Sequence, residues 1–153
     1  MYVYRIHCTR TLMDGNEAVV RRPSEAIPVL LPLFPEEEAW RESCHALMLD
    51  RQCRVLGTFC VGVGGTKSVT VDNKAVAAAA LGCLADSVIL CHNHPSGNPA
   101  PGEYDKKTTE SLRRALGTLD ISLADHIILG GQTYYSFTED RFAPLAESRR
   151  HEP

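Results

Sequence analysis

The chain is 153 residues long, 44% hydrophobic and 23% charged, with a formal net charge of −3. That is enough for one sizeable core at an ordinary globular composition, and the slight acid excess argues against a basic nucleic-acid platform, since Arg113-Arg114 and Arg149-Arg150 are isolated pairs. No apolar run is long enough to span a bilayer, and the start at Met1 lacks the long apolar stretch of a signal peptide, so no membrane partner is expected.

In chain order, residues 2–9 alternate loosely through Val3, Ile6 and Cys8 and predict a first strand. Residues 24–33 contain Pro28 and Pro32 and read as a short helix or an irregular arm. Glu36, Glu37 and Glu38 follow Pro35 as the solvated start of a helical turn or loop. Residues 44–49 and 53–63 predict two strands joined by the polar turn Asp50-Arg51-Gln52, a hairpin. Gly62, Gly64 and Gly65 then connect to residues 68–71. Asp72 or Asn73 caps an alanine-rich helix over 74–85. A buried strand is expected over 87–92, a turn-rich loop over 96–102, and a helix over 102–119 with Leu112, Ala115, Leu116 and Leu119 at helical spacing. A strand over 126–129, a turn at Gly130-Gly131-Gln132 and a strand over 133–137 make a second hairpin. The polar end, 147–153, is expected to fray. The order is mixed α/β.

The chemistry concentrates where the strand over 87–92 ends. Side chains two apart on a strand share a face, so His92 and His94 converge while Cys91 and Asn93 turn away, and Pro95 stops the strand. Asp105 falls in the first turn of the next helix, where the helix dipole favours an ionised carboxylate. Two imidazoles and a carboxylate make three ligands for Zn²⁺, with the fourth tetrahedral position open, as in catalytic rather than structural sites. A hydrolytic zinc site also needs a general base that is not a ligand, and Glu42, Glu36, Glu37 and Glu38 are the upstream candidates. His126 lies in an apolar run and reads as a satisfied core imidazole or a support behind the metal rather than a ligand. Tyr134 and Tyr135 read as packing residues. The six cysteines form no Cys-x-x-Cys pair, and several sit in apolar runs, as Cys60 and Cys91 do. They read as buried free thiols in a reducing cytoplasm.

The run from His92 through His94-Pro95 and Gly102 to Asp105, with Asp125-His126 and Tyr135-Ser136-Phe137 downstream, resembles the RadC family of the JAMM (MPN/JAB) metalloprotease-like superfamily. The superfamily pattern is a distant Glu, then His-x-His-Pro, six residues, Ser, two residues and Asp. The resemblance runs from Glu42 to Phe137. It implies a JAB/MPN architecture related to cytidine deaminases, with a mainly antiparallel mixed sheet flanked by helices. It also implies a JAB/MPN unit over 36–145, preceded by a strand and arm over 1–35 that pack on it and followed by a frayed tail over 146–153. Further implied are Zn²⁺ on His92, His94 and Asp105, Glu42 as general base, and hydrolysis of a peptide or isopeptide bond in a protein substrate. Gly102 stands where the pattern has Ser, so a hydroxyl expected at the oxyanion is missing and only a backbone N–H remains there. The alternatives are a non-catalytic interaction domain on the same fold, or an accessory protein of DNA repair as the family name suggests. Longer relatives carry a helix-hairpin-helix segment; none is visible in the 41 residues before Glu42.

Overall fold

A computed structural model describes residues 17–145 of the chain. The strand expected over 2–9 and the tail over 147–153 lie outside the described residues. Helix α1 (Pro23–Leu30) runs into a 3₁₀ turn at Leu31–Leu33, and a second such turn covers Glu36–Glu38. Then follow β1 (Ser43–Leu49), β2 (Val55–Val63), α2 (Asn73–Gly82), β3 (Ser87–Asn93), α3 (Glu103–Gly117), β4 (Ser122–Gly130), β5 (Thr133–Ser136) and β6 (Arg141–Pro144).

The strands form one sheet in the order β2-β1-β3-β4-β5-β6. Its one parallel pair is β3 with β4, and all other neighbours are antiparallel. A parallel pair needs a crossover, and α3 provides it. Both sheet faces are covered. On one, α2 and α3 bring Val76, Ala80, Leu112 and Leu116 against Ala46, Met48, Val88 and Leu90. On the other, α1 brings Ala26, Ile27 and Leu30 against Leu47, Ile89, Cys91 and Ile127. Each of the buried Val, Leu, Ile and Met side chains among these contributes about 1.5–3 kcal/mol through area removed from water. Alternation along β3 puts Val88 and Leu90 on the α3 side and Ile89 and Cys91 on the α1 side. His92 therefore continues the face that meets α3.

Among the described residues the predicted helices and strands are present, with boundaries moved for identifiable reasons. The hairpin turn is longer than expected because the Asp50 carboxylate accepts from the Gln52 and Arg54 N–H groups, 2.9 Å each, with Cys53 at φ +62°. Helix α2 begins at the Asp72 cap, which accepts from Lys74 N and Ala75 N. It stops three residues before the expected Ala85: Leu84 turns left-handed (φ +55°), and the Ala85 N–H closes on the Ala80 carbonyl at 2.9 Å. Helix α3 ends at Gly117 rather than Leu119, and Asp120 (φ +56°) reverses the chain. The strand placed at 126–129 begins four residues earlier, at Ser122, in register with Ser87 of β3. Strand β6 was not anticipated; its four residues, Arg-Phe-Ala-Pro, are too few to show an alternation, and pairing with β5 holds it in place. Cys60, expected to be buried, is exposed, because β2 is an edge strand with solvent on one face, whereas Cys44 and Cys91 are buried as expected. Tyr134 and Tyr135 are both buried, in agreement with a packing role.

Candidate metal centre

His92 is the sixth residue of β3 and His94 lies just past its end. The His94 N–H donates to the Leu129 carbonyl at 2.8 Å, so β4 anchors the backbone where β3 stops. From there the chain turns through Gly97 (φ +78°), a conformation glycine adopts freely. The Asn98 carboxamide oxygen accepts from Ala100 N at 3.0 Å, and the Asn98 carbonyl accepts from His94 Nδ1 at 2.9 Å. That contact leaves Nε2 of His94 facing inward. Gly102 caps α3 without a side chain; instead Asp105, three residues on, reaches back to accept from the Gly102 N–H at 2.7 Å.

These constraints bring two imidazole nitrogens and the Asp105 carboxylate together. His92 Nε2 lies 3.0 Å from His94 Nε2 and 3.1 Å from Asp105 Oδ1, while His94 Nε2 is 3.5 Å from Asp105 Oδ2. Among the described residues, His92, His94 and Asp105 form a group able to hold a metal ion. Ligands at about 2.0–2.1 Å from a tetrahedral ion stand about 3.3 Å apart, and the three observed separations fall around that value. The donor set fits a borderline cation such as Zn²⁺. Burial resists ionisation of Asp105, yet hydrogen bonds from His92, His94 and the Gly102 amide outweigh it and hold the carboxyl well below its usual range. The same carboxylate raises His94 above the ordinary imidazole value.

Behind His92 stands His126, 1% exposed, its Nε2 2.8 Å from His92 Nδ1. Burial drives its pKa well below the usual value. Its other nitrogen meets Thr109 Oγ1 at 2.6 Å, and Phe137 stacks on its ring. His126 thus lies against His92, one of the three candidate ligands, and Cys91 faces the opposite core. Thr109 was missed in the sequence. Its signal is a polar residue at i+4 from Asp105, in line with Leu112 and Leu116 on the buried face of α3.

Glu42 is half-buried immediately before β1. It lines a cavity of about 470 Å³ together with Lys67, His94, Gly102, Tyr104 and Asp105. It also borders a cleft of about 10 Å³ shared with His92, Asp105 and His126, room for about one water. Its backbone is held on both sides: its N–H donates to the Gly65 carbonyl and its carbonyl accepts from the Gly64 N–H, both at 2.8 Å. Gly64 is needed there, since a Cβ would sit 2.1 Å from the Ser68 carbonyl oxygen. Asn93 turns away from the ligands, as alternation predicts, and stitches this segment to β3. Its amide donates to the Arg41 carbonyl at 2.9 Å and its carboxamide oxygen accepts from Ser43 N at 2.8 Å. Glu36 and Glu38 line a different cavity, of about 520 Å³, and Glu38 is paired with Arg41 at 2.8 Å.

A mixed, mostly antiparallel sheet with helices on both faces, carrying a His-x-His and a helix-borne Asp at one strand end, defines a JAB-type domain. Residues 20–142 match the RadC-like JAB domain, and the chain belongs to that family. It is similar to a UPF0758 protein of Aquifex aeolicus, 37% identical over 136 residues, covering 88% of this chain and 58% of that protein. A UPF0758 protein of Pasteurella multocida is 37% identical over 105 residues, covering 69% and 47% respectively. One from Shewanella baltica is 42% identical over 93 residues, covering 61% and 41%. The chain thus spans about half the length of these curated relatives. Among the described residues no helix is long and apolar enough to cross a membrane.

Proposed function

We propose that this chain is a zinc-dependent hydrolase of the JAMM type that cleaves a peptide or isopeptide bond in a protein substrate. The observation that carries the reading is the convergence of two imidazole nitrogens and one carboxylate beside a cavity that also contains an uncommitted-ligand acid, Glu42. Zinc held by His92, His94 and Asp105 would act as a Lewis acid on the scissile carbonyl and lower the pKa of water to about 7. Glu42 is the proton carrier: its carboxylate takes the proton of the attacking water and passes it to the leaving amine. Gly64 and Gly65 hold the Glu42 backbone and Asn93 holds its neighbours Arg41 and Ser43, which fixes the point from which the carboxylate reaches the site. Cys44, Cys53, Cys60 and Cys91 carry free thiols, which supports a reducing cytoplasm as the compartment.

A second reading, a domain that binds a partner without cutting it, is favoured by one contact. The Gly102 N–H, the donor left where the family pattern has a serine, is already given to Asp105 at 2.7 Å. It is therefore not free to hold an oxyanion, and turnover is expected to be weak or narrow.

Elemental analysis tests the centre. About one zinc per chain is expected in the native protein and none after His92→Ala/His94→Ala; full zinc occupancy in that double variant would refute the ligand set. Glu42→Gln separates chemistry from binding. It is expected to keep zinc and lose cleavage of a lysine-linked isopeptide, whereas Glu36→Gln changes neither. Cleavage at the native rate in Glu42→Gln removes Glu42 from the base role.

A further inference from the structure

His94 and Pro95 line two cavities at once. One, of about 470 Å³, also holds Glu42 and Asp105. The other, of about 520 Å³, lies between the segment after α1, the end of β4 and the loop after β3. His94 and Pro95 are the residues common to both, so a polypeptide laid across the metal centre passes from one cavity into the other at His94.

The second cavity is preformed and largely apolar. Leu31, Phe34 and Pro35 form one wall, and Leu129 and Leu145 face them from β4 and the residue after β6. Pro32 and Pro35 each fix a backbone angle of the first wall, and Phe34 is braced edge-on against His45 with ring centres 4.9 Å apart. The far wall is set tightly against the loop after β3, since a Cβ on Gly131 would stand 3.2 Å from the Gly97 carbonyl oxygen. Leu31, Phe34 and Leu145 pack on the α1-side core yet stay only partly buried, and the cavity lies over them.

Most polar groups around this cavity are already spent. Asn93 accepts from Ser43 N and donates to the Arg41 carbonyl, Glu38 is paired with Arg41, and Glu36 is exposed to solvent. No Lys or Arg is among the described residues that line it. A carboxylate carried into the cavity would therefore lose water and meet no cation, a cost that an apolar side chain does not incur. Gln132 is the exception: its carboxamide makes no hydrogen bond among the described residues, and it can give one to a peptide carbonyl and take one from a peptide N–H. A peptide residue with an apolar side chain meets both conditions.

We propose that this cavity is a specificity subsite of the metal centre, which takes a large aliphatic or aromatic side chain of a substrate residue near the scissile bond and rejects an acidic one. That the occupant is a substrate rests on the hydrolase reading above; that it is an apolar peptide residue does not.

Binding and cleavage test the two separately. Binding is measured on the full chain carrying Glu42→Gln, by anisotropy of fluorescein-labelled Gly/Ser peptides with one central Leu, Phe or Glu. The Leu and Phe peptides are expected to bind at least about tenfold more tightly than the Glu peptide, the effect of burying one such side chain. Unlabelled, they should also shift the emission of Trp40, the one tryptophan of the sequence and the neighbour of cavity-lining Ala39. Leu31→Lys, added to the same chain, puts a cation in the cavity and is expected to invert the order, Glu above Leu, which a loss of fold cannot produce. Should Leu31→Lys not fold, Leu145→Lys makes the same test from the facing wall. Equal affinities for the three peptides, or an unchanged order in a folded lysine variant, overturn the proposal. Peptides that bind with the expected order but are never cleaved by the zinc-loaded native chain sink the hydrolase reading and leave the subsite standing. Cleavage without preference for Leu over Glu does the reverse.

Discussion

Gly102 is the residue at which this chain leaves its family pattern, and the structure shows what the change does locally. Its N–H is committed to Asp105, and its backbone at φ −82°, ψ 173° is open to any residue. A Cβ added there would meet Asp105 Oδ2 at 3.4 Å, which is contact without collision. Gly102→Ser is therefore expected to fold. It should add a hydroxyl at the mouth of the metal centre and raise isopeptide cleavage by up to about 10²–10³, the effect of one oxyanion donor. It should also stabilise the start of α3 by a few tenths of a kcal/mol. Steady-state rates on native and variant proteins, with zinc content matched, decide the point. An unchanged rate would mean that the missing hydroxyl does not limit this chain.

At the scale of elements, the centre depends on how the loop between β3 and α3 sits against the end of β4. Gly130 is the contact point: a Cβ there would lie 2.6 Å from Pro99 N and 2.9 Å from the Asn98 carbonyl carbon. Those are backbone atoms, so the loop itself would have to move. The Asn98 carbonyl is what orients His94. Gly130→Ala is thus expected to weaken zinc binding by about tenfold or more although residue 130 touches no ligand, since groups that orient metal ligands carry effects of about 10–100-fold. Gly82→Ala, at the end of α2 with open space around its Cβ, is the control and should leave zinc binding unchanged. Chelator competition on both variants is the measurement, and equal affinities would mean that the loop adapts.

For the whole molecule, a ligand that binds only the folded chain stabilises it. With free zinc about a thousandfold above its dissociation constant the gain is about 4 kcal/mol, or about 10 °C in melting temperature for a chain of this size. Removal of zinc with a chelator should reverse it. The pH dependence has a definite sign. In the metal-free protein, Asp105 raises His94 above its ordinary value. That proton stabilises the metal-free fold fully below the unfolded imidazole pKa of about 6.5, and the contribution is lost as pH rises through the elevated folded value. Zinc must displace the same proton, so its stabilisation runs the other way. The gap in melting temperature between zinc-loaded and metal-free protein should therefore narrow as pH falls through the imidazole range. A gap that widens toward acid would show that His94 is not a ligand.

The grouping of His92, His94 and Asp105 was legible in the chain because its determinants are local. Alternation brings His92 and His94 to one side, Pro95 ends the strand, and the helical pattern through Leu112 and Leu116 places Asp105 in a first turn. Hairpins, caps and the mixed α/β order were local for the same reason, and the resemblance to the RadC family rested on that contiguous run. The remainder is decided across the sheet. Strand β6 exists by pairing with β5, Cys60 is exposed because β2 lies at an edge, and α2 stops where Leu84 can turn. Pairing of β3 with β1 and β4 brings Arg41–Ser43 to Asn93 and His126 to His92, contacts between residues up to 52 positions apart. Spacing along a chain specifies which side chains share a face; which distant backbone meets that face depends on strand order and register, and those are fixed by burying a face of the assembled sheet, where a slip of one residue would turn the apolar side chains outward.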